Sequence, residues 1–255
     1  MENNVRNCVI LAAGRGQRLG SLTANLPKCL VCLAGRSLLE WQLQALHMAG
    51  IDCVVVVRGY CGDRIHSAGV ICIDNPEWAD SSMVYSLRCA ASWLESAPCL
   101  VSYGDIVFHP DIVRALAGAA SEIALVYDLL WLSLWEERFE DPRADAESFR
   151  TAGGYVTEIG EKGVDLSAIQ GQYIGLLKFT PAGWSTIERF LCGLSESALR
   201  TIDMTTLLQQ LIKQGVAIKG VPVRGHWCEV DNRKDLNLYE RKTDVDTGWS
   251  HDWRF

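Results

Sequence analysis

No apolar run in this 255-residue chain approaches the length needed to cross a bilayer, and Met1-Glu2-Asn3-Asn4 lacks the basic-then-apolar pattern of an export signal. Positive charge is also short: the balance is −7, which excludes general nucleic-acid binding, since that requires a basic face. Any polyanion must be met by local cations. The ten cysteines lack a metal or disulfide framework, because the single Cys29-x-x-Cys32 pair has no second pair at zinc-ribbon distance. Cysteine inside apolar runs behaves as a small hydrophobe, and the expectation is a reduced, cytoplasmic protein. Two phosphate-loop fingerprints are missing as well. No Gly-Lys-Ser/Thr triplet follows Gly14, and Leu19 stands where a dinucleotide fold carries its third glycine.

What is present centres on Val9 to Lys28. Val9-Ile10-Leu11-Ala12-Ala13 is long enough for a buried parallel strand and too short for a helix. Gly14 and Gly16 then form a tight loop in which backbone N–H groups can approach a charged ligand. Arg18 lies in the loop and Pro27-Lys28 closes the segment. Two cations flanking a glycine-rich turn at a strand's carboxyl end describe a polyphosphate site. The alternative is an ordinary basic surface loop after a strand.

The series Leu11-Ala12-Ala13-Gly14-x-Gly16-x-Arg18-Leu19, then Thr23, then Pro27-Lys28, resembles the nucleotide-binding signature of the sugar-phosphate and alcohol-phosphate nucleotidyltransferases. That resemblance implies a loop wrapped round a triphosphate, with phosphate-binding roles on Arg18 and Lys28 and the lysine nearest the transferred group.

Further along, Ser37 and Glu40 form a capping box for a helix running to about Ala49, with Gly50 as its stop. A buried strand at Asp52 to Val57 completes a right-handed βαβ unit and hence a parallel sheet. Val70 to Ile73 is a further strand. It leads through Asn75-Pro76 to a helix starting near Ser82 or Met83, where Ser81, Ser82 and Ser86 read as a polar cap. In cytidylyl-transferring relatives such a stretch lies against the pyrimidine, which makes Asn75, Ser82, Tyr85 and Ser86 base-contact candidates. The strand Cys99 to Tyr103 ends in Gly104-Asp105, an acidic residue at the carboxyl end of a central strand, where ligands bind in open α/β sheets. Asp105 could cap the next helix, but His109-Pro110-Asp111 already supplies that start. The family resemblance makes Asp105 a metal ligand.

Ile123 to Tyr127 is a fifth strand. Beyond it, Trp131 and Trp135 share one helical face, one suited to the core and the other to an acceptor pocket with Asp128, Tyr155 and Tyr173. Aromatic faces attract ammonium groups. Asp128 to Phe149 also resembles the acceptor-side segment of phosphocholine and phosphonate cytidylyltransferases. Arg138 and Arg143 could meet the acceptor's phosphate or form surface ion pairs. Gly153 to Lys162 alternates like an exposed hairpin strand, with Gln172 to Phe179 as the expected partner. Late in the chain, Glu229 and Asp231 project from one side of an extended segment, as on any solvated strand. By resemblance, Trp227-x-Glu229-x-Asp231 is the family's second metal element, and with Asp105 it would hold Mg2+.

The expected fold class is α/β, a Rossmann-like three-layer α/β/α with a mostly parallel mixed sheet and a small inserted acceptor-side lobe. The expected division is one nucleotidyltransferase domain over 1–243, with 128–180 as that lobe, and a polar tail over 244–255. The expected function is CMP transfer from CTP to a small phosphate or phosphonate such as phosphocholine or 2-aminoethylphosphonate. Lys28, Arg18 and Asp105 are the catalytic candidates. The expected partners are CTP and that acceptor, with no nucleic acid and no membrane, and a homodimer is left open. The alternatives are a hexose-1-phosphate nucleotidyltransferase and a non-catalytic nucleotide-binding regulator.

Overall fold

The computed structural model describes residues 5–66, 69–245 and 248–255. Met1-Glu2-Asn3-Asn4, on which the absence of an export signal was read, lies outside them.

The apolar run near the N-terminus forms the strand Asn7–Ala12, buried along nearly all its length. It pairs in parallel with Cys53–Arg58 on one side and Cys99–Tyr103 on the other. Val70–Asp74 extends the parallel set at one edge. Between Asn7–Ala12 and Cys53–Arg58 runs the helix Leu38–Met48, started by the Ser37–Glu40 capping box and ended at Gly50 with φ 86°. Its buried face carries Leu38, Leu39, Ala45 and Leu46.

Among the described residues the main sheet has nine strands, and helices pack on both its faces. All strands point one way except Gln172–Phe179 and Tyr155–Lys162, which run antiparallel to their neighbours. The result is the expected α/β architecture with a mixed sheet.

One pairing differs from the sequence expectation. Tyr155–Lys162 forms its hairpin with Glu147–Ala152, not with Gln172–Phe179. Gln172–Phe179 instead lies between Cys99–Tyr103 and Ile123–Asp128 in the middle of the sheet. Its residues are buried on both faces, which a solvated hairpin strand would not be.

The expected polar tail is also corrected. Among its described residues, Trp249, His251 and Trp253 are buried. Trp253 packs edge-on against Trp41 with centroids 6.0 Å apart, and Trp249 packs on Tyr239 at 5.7 Å. The sequence is polar on average, but its aromatics are spaced to turn inward.

Candidate functional site

The site is assembled where parallel strands end. Asn7–Ala12 and Cys99–Tyr103 are neighbours, so the glycine loop and Gly104-Asp105 emerge side by side, and the Gly104 N–H donates to the Leu11 carbonyl at 2.9 Å. Gly16 has φ 66°, and a Cβ there would meet Lys28 Cβ at 2.9 Å, so glycine lets the loop close over the lysine stem. Thr23 ties the loop down by donating to the Gly16 carbonyl at 2.9 Å.

The second acidic element arrives through a short ladder. Trp227–Glu229 pairs antiparallel with Ile106–Phe108, setting Glu229 opposite Ile106, and the Val230 N–H donates to the Asp105 carbonyl at 3.0 Å. Two stretches far apart in the chain thus converge. One oxygen from each of Asp105, Glu229 and Asp231 lies within 4.8 Å of the others.

Cations surround this cluster. Lys28 Nζ lies 2.7 Å from Asp105 Oδ2 and 3.0 Å from Asp231 Oδ1, and Arg18 donates to Asp231 Oδ1 at 2.7 Å. From beneath, Arg138 reaches Glu229 at 3.4 Å, Asp231 at 3.3 Å and Asp235 at 3.2 Å, with a fully buried side chain. Burial and the repulsion of Asp231 and Asp105 push the Glu229 carboxyl up to about 8, against the pull of Arg138 and Lys28. Burial works the same way on Asp231, but Lys28 and Arg18 outweigh it and hold that carboxyl below its ordinary value. Burial alone would lower the Lys28 pKa, yet the surrounding carboxylates, Asp105 first, outweigh it and raise the pKa above the ordinary value. Asp105 Oδ1 is buried without a hydrogen-bond partner among the described residues. Three hard oxygen donors that repel one another, with one lone oxygen unsatisfied, fit a divalent cation of the Mg2+ type.

Two clefts meet at the cluster. The first is lined by Leu11, Ala12, Ala13, Gly14, Gly16, Lys28, Trp78, Ser81, Ser82, Met83, Ser86 and Asp105, and lies along the glycine loop. The second holds Arg18, Glu229 and Asp231, then Trp135, Asp145, Glu147, Lys162, Tyr173 and Thr205. Tyr173 stands edge-on to Tyr103, with centroids 5.8 Å apart. Asp145 accepts the Trp135 indole N–H at 3.2 Å, and Glu147 faces Lys162 at 3.6 Å. Burial pushes the Glu147 carboxyl up, with Lys162 opposing.

Several expected contacts lie elsewhere. Asn75 is buried behind the nucleotide cleft, donating to Ser81 and Ser86 hydroxyls at 3.1 and 3.0 Å, so it orders those residues without lining the cleft. Tyr85 also stands outside that lining, with Arg200 over its ring at 5.4 Å. Trp131 is the core member of its pair, and Trp135 is the one that lines the second cleft. Arg138 was expected to face the acceptor and is instead locked under the carboxylates. Arg143 is spent on Asp141 at 2.8 Å. Tyr155 faces Lys219 at 4.8 Å. Trp78, Ser81, Met83, Asp145, Glu147 and Thr205 were not anticipated. Ser81 and Met83 lie in the seryl-rich helix start, Asp145 and Glu147 lie in the Asp128 to Phe149 stretch that resembles an acceptor-side segment, and nothing in the sequence marked Trp78 or Thr205.

Asp128 is the clearest correction. It is fully buried, accepting from His251 at 2.9 Å, Trp227 at 3.1 Å, and the N–H groups of Gly225 and Leu130 at 2.8 and 2.9 Å. Burial would raise its pKa, but the donors, His251 first, hold it below the ordinary carboxylate value. A depressed folded-state pKa contributes stability that is full above the unfolded value, about 3.9, and is lost as pH falls through the folded one. Asp128→Asn should therefore lower stability at pH 7 by about 1.5–3 kcal/mol and flatten the acid limb below about pH 4, read by urea melts against pH. An unchanged acid limb would refute the assignment.

A glycine-loop phosphate cradle joined to a carboxylate cluster on an open α/β sheet defines a nucleotidyltransferase. Residues 8–138 match the MobA-like NTP transferase domain, and the chain belongs to that family. It is 34% identical to a CTP:phosphoglutamine cytidylyltransferase of Campylobacter jejuni, covering 92% of this chain and 100% of that one. It is 29% identical to a 2-aminoethylphosphonate cytidylyltransferase of Lancefieldella rimae over 72% of this chain and 71% of the other. The fold matches that of the CTP:phosphocholine cytidylyltransferase of Streptococcus pneumoniae with a TM-score of 0.72 and 21% identity, covering 93% of this chain and 98% of that one. Among the described residues, no helix is long and apolar enough to cross a membrane.

Proposed function

We propose that this enzyme transfers CMP from CTP to the phosphate or phosphonate oxygen of a small, ammonium-bearing acceptor and releases pyrophosphate. The observation that carries this reading is the Asp105–Glu229–Asp231 cluster, set between the two clefts with Lys28 hydrogen-bonded to it. The relatives' shared use of CTP supports cytidine, and the Ser82 and Ser86 hydroxyls offer the cleft hydrogen-bonding groups for a base. Residues from Trp135 to Gly175 lining the second cleft support an acceptor-side role for 128–180 within one nucleotidyltransferase unit.

The acceptor oxygen is already anionic, so the chemistry needs no serine nucleophile and no histidine base. Its bond to the α-phosphorus forms as the bond to the β-phosphate oxygen breaks, and the electron pair leaves with pyrophosphate. Arg18 and the loop N–H groups hold the departing phosphates, while Lys28 screens the repulsion between acceptor and α-phosphate. Asp105, Glu229 and Asp231 would hold Mg2+, which supplies further charge neutralisation at the α-phosphate. At the far side, Asp145 and Glu147 beside Trp135 and Tyr173 suit an ammonium group.

Pyrophosphate release across CTP, UTP and TTP, paired with phosphocholine, 2-aminoethylphosphonate, phosphoglutamine and a hexose 1-phosphate, tests this directly. CTP with an ammonium-bearing acceptor should be fastest. A preference for UTP or TTP with the hexose phosphate would replace the reading, and nucleotide binding without turnover on any acceptor would indicate a regulator. In the same assay Glu147→Gln should raise KM for the ammonium acceptor about 10- to 100-fold, the loss of one charged contact of about 1.5–3 kcal/mol. An unchanged KM would remove Glu147 from acceptor binding.

A further inference from the structure

We propose that residues 248–255 form a positioning element for Glu229, with His251 as its positioning residue. The inference rests on the reading of the carboxylate cluster as the nucleotidyl-transfer site.

Two independent routes connect this segment to Glu229. In the first, His251 Nε2 lies 2.9 Å from Asp128 Oδ2, and the same oxygen accepts the Trp227 indole N–H at 3.1 Å. Trp227 precedes Glu229 by two residues on one strand, so both project to the same side. The backbones are stitched alongside: the Ser250 carbonyl accepts the His226 N–H at 2.8 Å, and the His251 carbonyl accepts the Cys228 thiol at 3.4 Å. Gly225, at φ 71°, makes room for this approach, since a Cβ there would collide with the Ser250 carbonyl. In the second route, Trp249 and Trp253 pack on Tyr239 at 5.7 and 6.5 Å, and the Tyr239 hydroxyl donates to the Glu229 carbonyl at 3.0 Å.

The physical need is clear from the cluster. Glu229 is repelled by both neighbouring carboxylates, and a side chain under that force backs away unless its backbone is fixed. A site of this kind works only when its donors are held to within about 0.5 Å. Among the described residues, the strand Trp227–Glu229 has just one partner strand, Ile106–Phe108. The C-terminal segment closes its other side, and His251 supplies the hydrogen bond that orients Asp128 towards Trp227.

The test compares wild type with His251→Phe and His251→Gln, using Mn2+ in the presence of CTP as the probe and the paramagnetic resonance of free Mn2+ as the readout. Circular dichroism and melting temperature report the fold. His251→Phe should weaken Mn2+ binding about 10-fold and lower kcat, with KM for CTP at saturating Mg2+ changed by less than about twofold. His251→Gln, whose amide can still donate to Asp128, should restore most of the affinity. A folded His251→Phe variant that binds Mn2+ as wild type does overturns the proposal, as does a Gln variant no better than Phe. If His251→Phe does not fold, Trp227→Phe decides. It removes the indole donor to Asp128 along with part of the ring that packs against Trp135, and an unchanged Mn2+ affinity there would overturn the proposal equally. Asp105→Ala separates the two levels of argument: if it too retains Mn2+, the site reading fails, and not the tail's role alone.

Discussion

Asp105→Ala should lower turnover by about 10²–10³-fold while the protein melts at nearly the wild-type temperature. The two halves of this expectation have separate causes. The carboxylate supplies one of three converging oxygens and the 2.7 Å contact that aims Lys28, and its second oxygen has no protein partner to satisfy. Losing it would take one donor from the proposed Mg2+ site and free the lysine to swing towards Asp231, where it already has a 3.0 Å contact. The fold is insulated because Asp105 joins the second acidic element through its backbone carbonyl, which the substitution leaves in place. Deleting one of three mutually repelling charges also relieves strain. Turnover is measured by pyrophosphate release at saturating CTP and Mg2+, and stability by thermal melting. Near-normal turnover would refute the role given to Asp105, and a collapse in melting temperature would show that the side chain holds the ladder together.

The parts of this site that were legible in the sequence are those set by local rules. The strand–glycine-loop element needs only an apolar run and missing Cβ atoms, and it forms as read. Ser37 and Glu40 make their reciprocal cap because both partners lie within one helical turn. Glu229 and Asp231 project together because strand geometry repeats every two residues. What escaped depends on partners remote in the chain. Gly153 to Lys162 alternates in a way that suits a hairpin with Gln172–Phe179, and only the insertion of Gln172–Phe179 between two strands that run the other way explains why it is buried on both faces. Asp128 reads as a free acid after a strand, but its donors include His251, Trp227 and Gly225, all about a hundred residues further on. The tail's aromatics likewise find Trp41 and Tyr239 only in three dimensions.

Arg138 belongs with these, and Arg138→Met should produce the largest loss of stability of any change at the site, about 3–5 kcal/mol. In sequence, a guanidinium at a helix end reads as a contact for the acceptor's phosphate or as a surface ion pair. In the fold it is fully buried and contacts Glu229, Asp231 and Asp235 together, with Trp135 and Phe139 rings at 5.2 and 5.1 Å. Asp235 in turn receives the Asp231 N–H at 2.9 Å, so the guanidinium and Asp235 form the floor on which the second acidic loop rests. Methionine keeps much of the volume and removes the charge, leaving buried carboxylates without their main internal counter-ion. Lysine should not rescue it, because a single ammonium cannot fork to three carboxylates. Since Mg2+ would restore positive charge to two of those acids from above, adding it should recover part of the lost stability in Arg138→Met and less in wild type. Urea melts with and without Mg2+ measure both effects. A variant as stable as wild type would show that Arg138 does not offset the cluster's repulsion. A loss of stability that Mg2+ leaves untouched would assign Arg138 to packing against Trp135 and Phe139 in place of charge compensation.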